Sequence, residues 1–275
     1  LGPMYLACHD LQRRGALAPA LPPEAMMALV WGAFVGLIKA ERPGYFLRDA
    51  AINRSGAPAL SDLPPLPGLS PAAFDVQRSA GRIVLDTRPA AKYLPAHIPG
   101  SVQIALGGQF ASWAGALLGV DARLLLVAED SAAVEESRTR LARVGIEKLE
   151  GYLEGGILAW QKAGQPLETI PEITAEELHQ RLRAGEPLQV LDVRRQGEWD
   201  SGHIAGAVLK PLNNLEKNLD GLDRARPLAV QCQGGYRSAI AASLLRRAGF
   251  QNILNIAGGF SAWSACKLPV ATASH

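Results

Sequence analysis

Along the chain, short apolar runs alternate with longer segments in which apolar residues return at helical spacing. Leu188-Gln-Val-Leu-Asp-Val193 and Leu228-Ala-Val-Gln231 are too short for helices. Their nearly continuous apolarity is that of strands buried on both faces of a parallel sheet. The clearest helix is predicted over Ala239 to Ala248, with Ile240, Leu244 and Leu245 on one side, Ser238 at its start and Gly249 at its end. Strands alternating with helices imply an α/β fold in which a mainly parallel sheet is flanked by helices.

The pattern occurs twice. Ile83-Val-Leu-Asp-Thr-Arg88 returns as Val190-Leu-Asp-Val-Arg194, and in each copy a histidine, His97 or His203, follows eleven residues after the aspartate. His97-Ile-Pro-Gly-Ser101 pairs with His203-Ile-Ala-Gly-Ala207, and Gly155-Gly-Ile-Leu-Ala-Trp160 with Gly258-Gly-Phe-Ser-Ala-Trp263. The offset is 106 at the aspartates and 104 at Gly145 and Gly249, a domain-sized period. Proline-rich stretches at 64–71 and 163–171 read as linkers. They delimit two tandem domains, 68–168 and 172–275, each opening on a residue placed to cap a short helix, Ser70 or Thr174. Residues 1–63 have no second copy, and Glu24 to Ala40 predicts a helix in a short N-terminal segment.

Composition narrows the function. The formal charge of +2 is small for 275 residues and the basic residues are scattered, so nucleic acid is not an implied partner. The longest charge-free apolar stretch, Ala25 to Ile38, has fourteen residues, short of the ~20 that a spanning helix needs. Three dispersed cysteines form no disulfide framework and no CxxC pair, and no signal-peptide pattern is evident; a cytoplasmic protein is expected.

The chemistry concentrates in Cys232-Gln-Gly-Gly-Tyr-Arg-Ser238, which follows a predicted strand and runs directly into the predicted helix. A strand's carboxyl end facing a helix N-terminus is a favoured ligand site in α/β sheets, and the unpaired N–H groups there favour an anionic sulfur. Cys232 is therefore expected to be a nucleophile. Gly234 and Gly235 let the loop curl into an anion-binding nest, and Arg237 would add a positive charge. A lone cysteine is as often a small buried hydrophobe. The conjunction with the Gly-Gly loop, the arginine and the helix start favours function.

These motifs (Asp-Val-Arg, Gly-His-Ile-x-Gly-Ala, a cysteine loop and Gly-Gly-x-x-x-Trp) resemble those of the rhodanese family over residues 68 to 275. The resemblance implies a ping-pong sulfurtransferase. Cys232 takes sulfane sulfur from a donor, holds it as a persulfide and passes it to a thiol or cyanide, with no metal and no cofactor. Gln233, Gly234, Gly235, Tyr236, Arg237 and Ser238 are the implied substrate-binding loop. Related phosphatases and arsenate reductases have five residues between cysteine and arginine; here there are four, which suits a single sulfur atom. Some thiosulfate-using members carry basic residues directly after the cysteine, whereas this chain has Gln233 and Gly234. A low-molecular-weight persulfide such as glutathione persulfide is thus an alternative donor, with Tyr236 at the pocket mouth.

The first copy has Ala128 where the second has Cys232, and Glu129 and Asp130 would repel an anion, so it is expected to be inactive and to pack or to wall the pocket. His97, His203, Asp86, Asp192, Arg88, Arg194, Trp160 and Trp263 stand at matched positions in both copies, which predicts structural roles. Cys8 and Cys266 are expected to be inert. Arg42-Pro-Gly-Tyr-Phe-Leu through Asn53-Arg-Ser-Gly56 resembles the tail of metallo-β-lactamase-fold persulfide dioxygenases fused to tandem rhodanese domains. With no His-x-His-x-Asp-His cluster here, such a dioxygenase is expected only as a fused or separate partner. The competing readings are a docking or sensing module with an idle Cys232, and a phosphatase or arsenate reductase.

Overall fold

The structure is a computed structural model that describes residues 65–272. The helix expected over Glu24 to Ala40 and the stretch from Arg42 to Gly56 lie outside these residues.

Each copy begins on a strand and a capped helix. In the first, β1 (Gly68–Leu69) leads into α1 (Pro71–Ser79), followed by β2 (Ile83–Asp86), α2 (Ala90–Tyr93), β3 (Val102–Gln103), α3 (Phe110–Leu117), β4 (Leu124–Val127), α4 (Ser131–Ala142), β5 (Leu149–Leu153) and α5 (Gly156–Lys162). The second copy has β6 (Glu172–Ile173), α6 (Ala175–Arg183), β7 (Gln189–Asp192), α7 (Gln196–Asp200), β8 (Val208–Leu209) and a 3-10 helix (Leu212–Lys217). It continues through β9 (Leu228–Gln231), α8 (Tyr236–Arg247), β10 (Ile253–Ile256) and α9 (Gly259–Ala265). The hydroxyls of Ser70 and Thr174 accept from Ala73 N (3.3 Å) and Glu177 N (3.1 Å), the capping predicted for both copies.

The strand orders are β1-β5-β4-β2-β3 and β6-β10-β9-β7-β8, with every pairing parallel. Central strands β4 and β9 are buried at every residue, which accounts for their unbroken apolarity. Thus both halves are α/β domains with a five-stranded parallel sheet flanked by helices.

The two domains share a core. One cluster of buried residues runs from Leu85, Leu126 and Phe110 of the first to Leu191, Val230, Ile240 and Cys232 of the second. Helix α8 is the joint, and Ser238 through Leu245 are all buried. A helix buried on all sides needs a partner for each polar group inside it. Ser243 meets that need across the interface, where its Oγ accepts from the backbone N–H of Gln103 (3.0 Å) on edge strand β3 and donates to Ile240 O (2.7 Å). The first domain's open sheet edge is thereby covered by the helix that follows Cys232.

Candidate active site

Cys232 immediately follows β9 at the carboxyl end of the sheet and is 1% exposed. Its Sγ accepts from the backbone N–H of Gly235 at 3.1 Å. Gly235 is the N-cap of α8 and has φ of +100°, a value that glycine reaches without strain and other residues rarely adopt. The helix begins at Tyr236, three residues before the start predicted from sequence, because the left-handed Gly235 turns the chain directly into it. Ser238 is accordingly inside the first turn. Its buried Oγ donates to Gly235 O (3.1 Å), which steadies the loop from behind rather than facing the cleft.

The loop is also held from below. Phe260 N donates to Cys232 O (2.7 Å) and Ser261 N to Gln233 O (2.9 Å), so the N-terminus of α9 grips the cysteine's own backbone. Gln233 is turned away from the cysteine. Its Oε1 accepts from Arg194 Nη1 (3.2 Å) and its Nε2 donates to Ser261 Oγ (3.0 Å). Arg194 is itself fixed by Asp192 (2.7 Å), Gly202 O (2.7 Å) and the Phe260 ring, whose centre is 4.0 Å from the guanidinium carbon. The Asp-x-Arg motif therefore supports the cysteine loop through Gln233.

Arg237 forms a two-pronged ion pair with Glu198 of α7, both contacts at 2.7 Å. The hydrogen bonds from Arg237 hold the Glu198 carboxyl at about 2, well below the usual carboxylate range, and Glu198 pushes Arg237 further up. The positive charge expected from Arg237 is thus largely neutralised.

A cleft of about 420 Å3 opens over Cys232, lined in the second domain by Arg195, Glu198, Gly234, Tyr236 and Arg237 and in the first by Gly108, Gln109 and Trp113. Tyr236 stands at the domain junction and donates to Ala105 O (2.9 Å); burial pushes its phenol up to about 12. The first domain provides a pocket wall, one of the two roles expected for it.

The first copy shows what the site becomes without a nucleophile. Ala128 follows β4 as Cys232 follows β9, but the chain enters its helix one residue sooner, and Asp130 caps α4 by accepting from Ala133 N (2.8 Å). Lys92 occupies the position of Glu198 and forms an ion pair with Glu129, the counterpart of Gln233. A salt bridge thus lies across the vacated site, and the carboxylates expected to repel an anion are engaged in a cap and an ion pair.

The paired histidines are each packed and hydrogen-bonded within their own copy, as a structural role predicts. His97 Nδ1 lies 3.1 Å from Tyr93 O with its ring stacked on Tyr93, and His203 Nδ1 lies 3.1 Å from Trp199 O with its ring stacked on Trp199. Trp160 and Trp263 are buried and donate to Pro166 O and Pro269 O, both at 2.9 Å. Asp86 and Asp192 pair with Arg88 and Arg194, as their spacing predicts. Cys266 is exposed, donates to Glu176 (2.7 Å) and is not among the residues that line the cleft. Among the described residues no group of histidine, cysteine and acidic side chains is placed to hold a metal. Among the same residues no helix is long and apolar enough to cross a membrane.

Sequence reasoning did not find Glu198, Arg195, Gly108, Gln109 and Trp113. For Glu198 a signal existed, since the matched position in the copy without a cysteine is Lys92. The first-domain wall has no such signal: the α-helix α3 has no α-helical repeat partner, because the second copy carries the 3-10 helix there.

Fold and site together define a tandem α/β protein with one cysteine loop of the rhodanese kind. The family model for the rhodanese-like domain matches residues 70–163 and again 174–266, and the chain belongs to that family. Neither match reaches the stretch from Arg42 to Gly56. The putative sulfur carrier protein YrkF of Bacillus subtilis is 29% identical over 143 residues, 50% of this chain and 77% of that protein. The thiosulfate sulfurtransferase GlpE of Shewanella oneidensis is 33% identical over 97 residues, 35% of this chain and 95% of that protein. The crystal structure of a rhodanese-related protein from Thermoplasma volcanium is similar at 32% identity, 38% of this chain and 99% of that one, with a TM-score of 0.35.

Proposed function

We propose that the protein is a cytoplasmic sulfurtransferase that carries sulfane sulfur on Cys232. The Cys232 thiolate attacks the outer sulfur of thiosulfate or of a low-molecular-weight persulfide; the donor's S–S bond breaks, and sulfite or a thiolate leaves with the electron pair. A thiol or cyanide then attacks the outer sulfur of the Cys232 persulfide, and the Cys232 thiolate is the leaving group. No external oxidant or reductant is needed.

The observation that carries this reading is the Gly235 N–H aimed at Cys232 Sγ at 3.1 Å, on the floor of a cleft. A fixed donor of this kind stabilises anionic sulfur before and after transfer. Gly234, Tyr236 and Arg237 line the cleft into which a donor would enter, while Gln233 and Ser238 hold the loop in shape. The phosphatase or arsenate reductase reading is disfavoured because the guanidinium fork of Arg237, which would grip an oxyanion, is taken up by Glu198. The Glu198–Arg237 pair also weakens the attraction for dianionic thiosulfate, which leaves an organic persulfide as a full alternative. A persulfide-consuming dioxygenase, fused or separate, is a fitting partner reaction.

Steady-state transfer to cyanide, read as thiocyanate formed from each donor, tests the reading. Turnover by the wild type and none by Cys232→Ser is expected. Equal rates for the two proteins would reject it and promote the docking role.

A further inference from the structure

Cys232 is 1% exposed although it forms part of an open cleft. Little of the residue is open to solvent, so the side chains that set the clearance above the sulfur bear on what can react with it. On one side stand Arg195, Glu198, Tyr236 and Arg237 of the same domain; on the other stand Gly108, Gln109 and Trp113 of the first.

The first-domain side is braced. Three carbonyls of the loop entering α3 are held by two side chains. Tyr236 Oη donates to Ala105 O (2.9 Å), Arg140 Nη1 donates to Leu106 O, and Arg140 Nη2 donates to Gly108 O (3.1 Å). The Arg140 guanidinium carbon also lies 5.2 Å from the centre of the Phe110 ring, the first residue of α3, a cation–π distance. Gly108 takes φ of +59° at the turn, and a Cβ there would touch the Tyr236 ring at 3.9 Å. Trp113 follows one turn later, its N–H donating to Gln109 O (3.0 Å). Its indole N–H has no hydrogen-bond partner among the described residues. Arg140 belongs to α4, the helix that follows Ala128; in the second copy the matched helix begins beside the nucleophile. A helix without a sulfur to serve thus anchors the wall opposite the one that has it.

We propose that Trp113 of the first domain, held in place through Arg140 and Tyr236, is a specificity-determining residue of the Cys232 cleft and limits the bulk of the group that meets the sulfur. Arg140 acts through the loop and is a positioning residue. The proposal rests on the sulfurtransferase reading for its natural substrates, but the steric limit applies to any reagent that reaches Cys232.

Alkylation separates the two. Wild type, Trp113→Ala, Trp113→Phe and Arg140→Gln are treated with iodoacetamide or with the bulkier N-phenylmaleimide, and modification of Cys232 and Cys266 is followed by peptide mass spectrometry. Trp113→Ala should raise the bulky-to-small rate ratio at Cys232 by about tenfold, the scale of one removed steric element. Trp113→Phe and Arg140→Gln should move it less and in the same direction, with the ratio at exposed Cys266 unchanged. With sulfur donors, Trp113→Ala should likewise favour an arylthiosulfonate over thiosulfate. An unchanged ratio at Cys232 in Trp113→Ala, or an equal rise at Cys266, would overturn the inference. A wild type that takes up no sulfur would instead reject the proposed function while the alkylation ratio still decides this one.

Discussion

Gly259 lies so close beneath Cys232 that a Cβ built on it would fall 2.2 Å from the Cys232 carbonyl oxygen. That approach is what allows Phe260 N to donate to the same oxygen at 2.7 Å and fixes the start of the reactive loop. Gly156 stands at the matching position of the first copy, where a Cβ would meet Ala128 O at 3.3 Å.

Gly259→Ala should therefore be far more damaging than Gly156→Ala, although both backbones have positive φ near +60°. The shared backbone strain is about 1–3 kcal/mol, and the clash at Gly259 adds to it. Urea unfolding should show a loss of at least about 3 kcal/mol for Gly259→Ala, accompanied by loss of sulfur transfer. Equal losses for the two variants would contradict the close-approach account.

Glu198→Gln should uncover the charge of Arg237. An unpaired guanidinium at a partly exposed cleft contributes about 1 kcal/mol of attraction, so kcat/KM for dianionic thiosulfate should rise about fivefold relative to an uncharged thiosulfonate ester, and the gain should shrink in high salt. The Glu198 carboxyl is depressed to about 2 by Arg237. The pair's stabilising effect is consequently complete above the ordinary carboxylate value and is lost only as the pH falls towards 2. Glu198 should add no titration to the rate between about pH 5 and 8. Unchanged donor preference in Glu198→Gln would show that Arg237 does not act on the substrate's charge.

His97 should make stability fall with acid. Burial holds its imidazole at about 4, below its ordinary value, and its Nε2, 3.9 Å from the Glu168 carboxylate, has no hydrogen-bond partner among the described residues. The unfolded chain takes up a proton more readily than the folded one, so the stabilisation is complete above the ordinary histidine value and declines as the pH falls towards 4. Between about pH 7.5 and 5 the loss is on the order of 2 kcal/mol. Urea midpoints at the two pH values should differ more for the wild type than for His97→Gln. The same difference in both proteins would remove His97 from the acid response.

Much of this could be read from the sequence, because it depends on local pattern. The buried strands Gln189–Asp192 and Leu228–Gln231 announce themselves by apolarity, and the duplication gives the domain period directly. The place of Cys232 between a strand's end and a helix's start was legible from its loop. The start of α8 was misplaced by three residues, since a left-handed Gly235 at an N-cap carries no side-chain signal and Ser238 looks like a cap. Gln233 and Ser238 are expected from the sequence to face a substrate, whereas contacts with Arg194 and with the turn at Gly235, which local pattern does not encode, engage their side chains in the loop itself. Trp113 was illegible for a different reason: it lines the cleft of Cys232 from across a domain boundary, on a helix whose place in the second copy is taken by a 3-10 helix.

The central claim is that Cys232 carries the sulfur. Intact-mass measurement of the wild type and Cys232→Ser, after incubation with thiosulfate and separately with glutathione persulfide, tests it most directly. The account predicts a gain of one sulfur atom that cyanide removes, present in the wild type and absent from the variant. A wild type that gains no sulfur from either donor, or a variant that gains as much, would contradict it.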